Sequence, residues 1–199
     1  MPIPAVSLPN EASITDAANI EAVNELTVLI GGARSGKSDL AVQIGRRFDG
    51  PVTFIATAQR VDDDMTERIS RHIAERPAWP TIEVTTDLAN AISSVAHGDL
   101  IILDCLTLWL ANALLEDWPD FDVIDSARTA AGVASRRDSP TIVITNEVGL
   151  GVHPDTELGR RYRDLLGHVN HIWADSAHQT LFLVAGRVIA LRDPWEFLS

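Results

Sequence analysis

Residues 26–38 read LTVLIGGARSGKS: a short apolar run, rich in Val and Ile, that breaks into Gly31, Gly32, Ala33, Arg34, Ser35, Gly36, Lys37 and Ser38. The spacing is G-x-x-x-x-G-K-S, the P-loop pattern, with a strand-like run before it and a helical period after it. Each residue type has a physical task. Glycines let backbone N–H groups turn inward around phosphate oxygens with no Cβ in the way. The helix that follows aims its positive dipole end at the same anion. In this pattern Lys37 reaches the β- and γ-phosphates, and the Ser38 hydroxyl reaches Mg²⁺. Lys37 is the only lysine of the chain; the other basic residues are arginines. The stretch predicts a nucleoside triphosphate site.

Composition sets bounds around that site. The 199 residues suit one domain, with an extension over residues 1–24 and a catalytic unit over residues 25–199. Residues 1–24 hold three prolines, several acids and no hydrophobic period, so a poorly ordered or loosely docked segment is expected there. They contain no Lys or Arg, unlike a signal or transit peptide. The formal net charge of −12 argues against sequence-independent binding to nucleic acid or anionic membranes, so the phosphate site must gather its positive charge locally. No apolar run has the length of a membrane span. The single cysteine, Cys105, excludes an intrachain disulfide and suits a reducing cytoplasm.

Outward from the P-loop, strands alternate with helices. Glu25–Ile30 is read as the first strand and Ser38–Phe48 as the first helix, with Leu40, Ile44 and Phe48 on one face and Gly50-Pro51 as its stop. Val52–Ala56 is a second strand, followed by Thr57 and Ala58. In residues 62–79, Asp62–Asp64 supply an acidic helix start and Pro77 a stop. Met65, Ile69 and Ile73 form an apolar stripe, and Glu67, Arg71 and Glu75 a stripe of pairing charges. Arg68, His72 and Arg76 form a third stripe that lacks an acid of its own; it reads either as a solvated basic face or as a phosphate ligand set. Ile82–Val84 reads as a short strand and Asp87–Val95 as a capped helix. Leu100–Leu103 is a buried strand that delivers Asp104 at its end, the Walker B pattern in which a carboxylate orients Mg²⁺. Helices are expected over Thr107–Glu116, Val123–Ala134 and Asp155–Ala177. A strand is expected over Thr141–Ile144, leading into Thr145, Asn146, Glu147, Val148 and Gly149. Leu181–Val184 and Val188–Leu191 read as a closing hairpin. The order predicts an α/β fold with a mainly parallel sheet, helices on both faces and a C-terminal hairpin.

With these residues in view, the chain resembles the bifunctional adenosylcobinamide kinase / adenosylcobinamide-phosphate guanylyltransferase family of cobalamin biosynthesis. The resemblance rests on GGARSGKS, FIATAQRVDDDMTERISRHIAERPAW, LDCLT and TNEVGLGVHPDTELGRRYRDLLGHVN, and spans about residues 26–192. It implies a RecA-like P-loop NTPase fold. It also implies ATP or GTP as phosphate donor, GTP as GMP donor, Mg²⁺, a corrinoid substrate and an assembly of three subunits. Carried over by position, nucleotide contacts fall on Gly31 to Ser38, Ala56, Thr57, Ala58, Ile73, Ala74, Glu75, Arg76, Glu83 and Asp104. The histidine that takes up GMP falls on His72, with Lys37 as its catalytic companion at the phosphates; helical spacing adds Arg68. Asp104 stands where relatives often carry Glu, and His171 where glutamine is expected after Asn170.

Two other readings fit parts of the pattern. A different P-loop small-molecule kinase or RecA-like ATPase would use the loop and Asp104 while His72 stayed an ordinary helix residue. A nucleotide-sensing regulator would use occupancy of the loop to set its conformation. Label retained from α-labelled GTP after denaturation separates the first from a guanylyltransferase, and corrinoid phosphorylation separates the second from a kinase.

Overall fold

Alternation along the apolar runs decides what each strand side chain meets, because successive residues point to opposite faces of a sheet. The computed structural model of the chain describes residues 26–59, 67, 74 and 76–198. Its strands are β1 (Leu26–Gly31), β2 (Val52–Ala56), β3 (Thr81–Glu83), β4 (Leu100–Asp104), β5 (Thr141–Asn146), β6 (Gln179–Val184) and β7 (Arg187–Leu191). They form one sheet in the order β3-β2-β4-β5-β1-β6-β7, parallel throughout except for the antiparallel β6–β7 hairpin. The central strand β1 is buried on both sides: Leu26, Val28 and Ile30 enter one core, while Leu29 enters the other. β4 divides likewise, with Ile101 and Leu103 opposite Leu100 and Ile102. Near-continuous apolar runs are what strands covered on both faces require.

The described helices are α1 (Lys37–Arg47), α2 (Leu88–Ser94), α3 (Leu106–Leu115), α4 (Asp120–Ser135), α5 (Glu157–Ser176) and the one-turn α6 (Trp195–Leu198). Side chains of α2 to α5 build the larger core, and α1 covers the other face. Caps follow sequence chemistry. The Asp87 carboxylate accepts from the Asn90 N–H at the start of α2, and the Thr156 hydroxyl accepts from the Gly159 N–H at the start of α5. The helix α3, LTLWLANALL, is apolar nearly all round and lies within the core, with Trp109 and Leu110 fully buried.

Several boundaries move by one to three residues from the sequence reading. α1 begins at Lys37, α4 begins at Asp120 behind Pro119, and β5 continues past Ile144 to Asn146. A difference in packing matters more. Leu40, Ile44 and Phe48 flank the contact of α1 with the sheet, whereas the residues buried beneath it are Lys37, Ala41 and Gly45. Small residues let the helix lie close. A Cβ at Gly45 would come within 2.6 Å of the Trp79 ring and 3.0 Å of Ile102 Cδ1. That approach holds the start of α1, and with it Lys37, against the C-terminal edge of the sheet.

Candidate nucleotide site

The loop between β1 and α1 is held from inside by its own lysine. Lys37 is buried, and its Nζ donates to Gly31 O at 3.0 Å, Gly32 O at 2.7 Å and Ser35 Oγ at 3.3 Å. Burial pushes its ammonium below the usual lysine range, and the nearby Cys105 and Asp104 push back. Gly36 takes the left-handed conformation at the head of α1 (φ 97°), and Arg34 does the same at the loop tip (φ 56°). Gly32, Ala33 and Arg34 are exposed, and Ser35 is buried. The distant hairpin turn braces the loop, where Gly186 N donates to Ser35 O at 3.0 Å.

Gly31 sits where β1 and β6 come closest: a Cβ there would meet the Leu183 carbonyl oxygen at 2.3 Å. Backbone cannot swing aside as a flexible side chain can. Gly31→Ala is therefore expected to destabilise the protein by about 1–3 kcal/mol, seen as a lower urea midpoint with an unchanged slope.

Strand register brings the other candidates into one row. Ala56 of β2 pairs with Asp104 of β4 on one side and Glu83 of β3 on the other. Asp104 pairs in turn with Ile144 of β5, and the Gly31–Asn146 pair lies two residues beyond that row. The C-terminal ends of these strands thus carry Glu83, Ala56, Asp104, Asn146 and Gly31 along one edge, where open α/β sheets place ligands. Asp104 faces the head of α1, and Ser38 Oγ donates to its Oδ2 at 3.1 Å. Arg76 lies over the Phe54 ring at 3.7 Å and donates from Nη2 to Thr81 Oγ1 at 3.0 Å. Its Nε and Nη1 are buried with no hydrogen-bond partner among the described residues. Burial pushes the Arg76 guanidinium below its usual range, offset by the Asp104 carboxylate.

A layer of buried polar contacts fixes this edge from behind. The Thr57 hydroxyl donates to Cys105 O (2.7 Å) and accepts from Cys105 N (2.8 Å), while Thr57 N donates to Asp104 O. Asn112, inside the apolar α3, donates to Thr57 O at 2.8 Å and Thr85 O at 3.1 Å. Asn170 of α5 accepts from Thr145 Oγ1 at 2.7 Å and donates to Asn146 O at 3.0 Å. Asn112 and Asn170 were not foreseen as site supports. The signal available was a lone amide within an apolar stripe, since a buried amide needs partners; its partners, at the ends of remote loops and strands, were not readable.

The structure brings together Gly31 to Ser38, Ala56 to Ala58, Arg76, Glu83 and Asp104, with Glu83 exposed on the short β3. Ala74 is exposed and helical. Arg68, His72, Ile73 and Glu75 lie outside the described residues, as does the 1–24 segment. His153, His168 and His171 are exposed, and His171 Nε2 lies 3.3 Å from the Asp175 carboxylate on the surface of α5. No three His, Cys, Asp or Glu side chains gather into a metal cluster among the described residues. The Ser38–Asp104 pair instead offers two hard oxygen ligands, which suits Mg²⁺, a cation that keeps water and phosphate oxygens in its remaining positions. No helix among the described residues is long and apolar enough to cross a membrane.

Comparison with known proteins places this edge in context. The model of the family described as cobinamide kinase / cobinamide phosphate guanyltransferase matches residues 27–191. The bifunctional adenosylcobalamin biosynthesis protein CobP of Pseudomonas aeruginosa is 41% identical over 168 residues, covering 83% of this chain and 96% of that relative. The bifunctional adenosylcobalamin biosynthesis protein CobU of Salmonella typhimurium is 35% identical over 177 residues, covering 81% and 96%. Among solved structures, a Pyrococcus horikoshii OT3 protein superposes with a TM-score of 0.55 at 9% identity, over 87% of this chain and 88% of that one. A type III secretion ATPase superposes with a TM-score of 0.51 at 12% identity, over 81% of this chain and 51% of that one. At such identities the structural likeness speaks for the fold alone, which is that of the RecA-like P-loop NTPases.

Proposed function

The chain belongs to the cobinamide kinase / cobinamide phosphate guanyltransferase family, and from that premise we propose that one triphosphate site serves both of its reactions, with His72 carrying GMP between them. In the first reaction ATP or GTP loses its γ-phosphoryl group to the aminopropanol hydroxyl of adenosylcobinamide. In the second, GTP donates GMP to the resulting phosphate, giving adenosylcobinamide-GDP. The observation that carries the reading lies at the sheet edge: strand register sets Glu83, Ala56 and Asp104 in one row, and the Ser38–Asp104 hydrogen bond joins that row to the P-loop.

The chemistry follows from which phosphate is held and which is attacked. Lys37 and the loop N–H groups stabilise charge on the γ-phosphoryl group as it moves. When GTP serves as GMP donor, the same groups hold the pyrophosphate that departs. A neutral His72 nitrogen attacks the α-phosphorus, the bond to pyrophosphate breaks, and the phosphoramidate then passes GMP to the cobinamide phosphate. A covalent nucleophile divides one difficult transfer into two easier ones. The Nε and Nη1 of Arg76, without a hydrogen-bond partner among the described residues, suit a phosphate oxygen nearby. Ser38 and Asp104 would hold Mg²⁺, which neutralises phosphate charge when bound.

The enzyme is proposed to work in the reducing cytoplasm, consistent with its one free thiol at Cys105. The three-subunit assembly implied by the family would have an apolar surface to use. The edge strand β7 exposes Val188, Ile189 and Leu191, and α6 exposes Trp195, Phe197 and Leu198.

The test is transfer from GTP labelled at two positions. γ-Labelled nucleotide should mark adenosylcobinamide as its phosphate, and α-labelled GTP should mark the final product. Product without α-label would leave a kinase alone. Asp104→Asn tests the metal assignment: it keeps the shape and removes the charge. The Mg²⁺ concentration for half-maximal rate should rise at least about tenfold with little change in melting temperature. An unchanged Mg²⁺ requirement would move the ligand elsewhere, with Glu83 the next candidate on the same edge.

A further inference from the structure

We propose that the groove between the P-loop and the end of β6 receives the acceptor alcohol of the kinase reaction, and that Glu147 takes the hydroxyl proton there. This rests on the kinase reading above. Glu147 follows Asn146, the β5 residue paired with Gly31. Its N–H donates to Gly31 O at 3.1 Å, the same carbonyl oxygen that accepts from Lys37 Nζ at 3.0 Å. Two donors on one oxygen lie no more than about 6 Å apart, so the Glu147 backbone lies near the ammonium that would face the β- and γ-phosphates. Its carboxylate is held in place, since Oε1 accepts from the Gly149 N–H. Oε2 has no hydrogen bond among the described residues.

Glu147 lines a groove of about 310 Å³. Gly32 to Ser35 form one wall, so the groove opens onto the loop that holds the transferred phosphoryl group. Leu150, Phe182 and Val184 form an apolar wall. Leu150 is 80% exposed and Val184 51% exposed, which leaves apolar side chains facing solvent beside a polar floor. That combination suits a small alcohol arm on a bulky, largely apolar body. The arm enters to Glu147 and the P-loop, while the body rests on Leu150 and Val184. Asp104 is less suited to the proton, because its carboxylate already accepts from Ser38 at the metal-binding corner.

The step balances within the groove. The alcohol oxygen forms its bond to the γ-phosphorus as its proton passes to Glu147 Oε2. The bond from that phosphorus to the bridging oxygen breaks, and its electron pair leaves with the nucleoside diphosphate. Glu147 then returns the proton to water. No oxidant or reductant is involved.

Glu147→Gln keeps the hydrogen bond to Gly149 and removes the base. Its kinase kcat should fall about 10²–10³-fold, with the KM for triphosphate unchanged and the acid limb of the kcat–pH profile flattened. Labelling of the protein by α-labelled GTP should continue at the wild-type rate. Leu150→Asp should raise the KM for adenosylcobinamide, with kcat and the nucleotide KM little altered. A Glu147→Gln enzyme with normal kinase kcat would overturn the proposal. So would parallel loss of phosphorylation and protein labelling, because Glu147 would then be shaping the shared triphosphate site. A wild-type protein that never phosphorylates adenosylcobinamide would instead remove the kinase reading on which the proposal stands.

Discussion

Lys37→Ala is expected to lower phosphorylation of adenosylcobinamide and GMP transfer together, each on the order of 10²–10³ in rate. Lys37 is the only ammonium side chain in the protein, and it is buried at the head of α1 with its donors directed onto the loop that would wrap the triphosphate. On the proposed mechanism that charge would face the transferred group in one reaction and the leaving pyrophosphate in the other. Losing it should therefore not discriminate between the two. Lys37 also holds the Gly31 and Gly32 carbonyls, so melting temperature and far-UV spectra must accompany the rates. Lys37→Met, which keeps the aliphatic stem, separates loss of charge from loss of packing. A folded variant that transfers phosphoryl groups at the normal rate would mean that the loop does not hold the triphosphate.

His72→Ala should have the opposite pattern, abolishing guanylylation of the protein and GMP transfer while kinase activity largely persists. Imidazole has an unperturbed pKa of about 6.5, so its neutral, nucleophilic form dominates at pH 7.5. In the sequence, Arg68 and Arg76 stand four residues to either side of His72. The kinase reaction transfers directly to a hydroxyl and has no need of a covalent histidine. Loss of both activities in a folded His72→Ala variant would mean that the segment shapes the shared site, and the division of labour would fail.

How much of this was legible in the sequence varied with the kind of interaction. The strand–loop–helix turn at residues 26–47 and the strand that ends at Asp104 were readable because their residue types recur at fixed spacing. Their contact, Ser38 to Asp104, follows once β1 and β4 lie in one parallel sheet. Leu40, Ile44 and Phe48 pack against the core as their spacing suggests, but the closest contact belongs to Ala41 and Gly45, which carry almost no hydrophobic signal. β5 ran beyond TIVI because Thr145 and Asn146, polar by composition, find partners in Asn170 and in β1. The bracing of Ser35 by Gly186 joins residues about 150 positions apart, and nothing local in either segment announces it. The groove beside Glu147 likewise exists only where three separate chain segments meet.

The central claim, that one loop serves two reactions through a guanylylated histidine, is tested most directly by locating the label. Wild-type protein incubated with α-labelled GTP and Mg²⁺ should carry acid-labile, base-stable label on the peptide containing His72. Adding adenosylcobinamide phosphate should discharge that label into product. Label on another peptide, label that the acceptor cannot discharge, or GMP transfer without any labelled protein would contradict it.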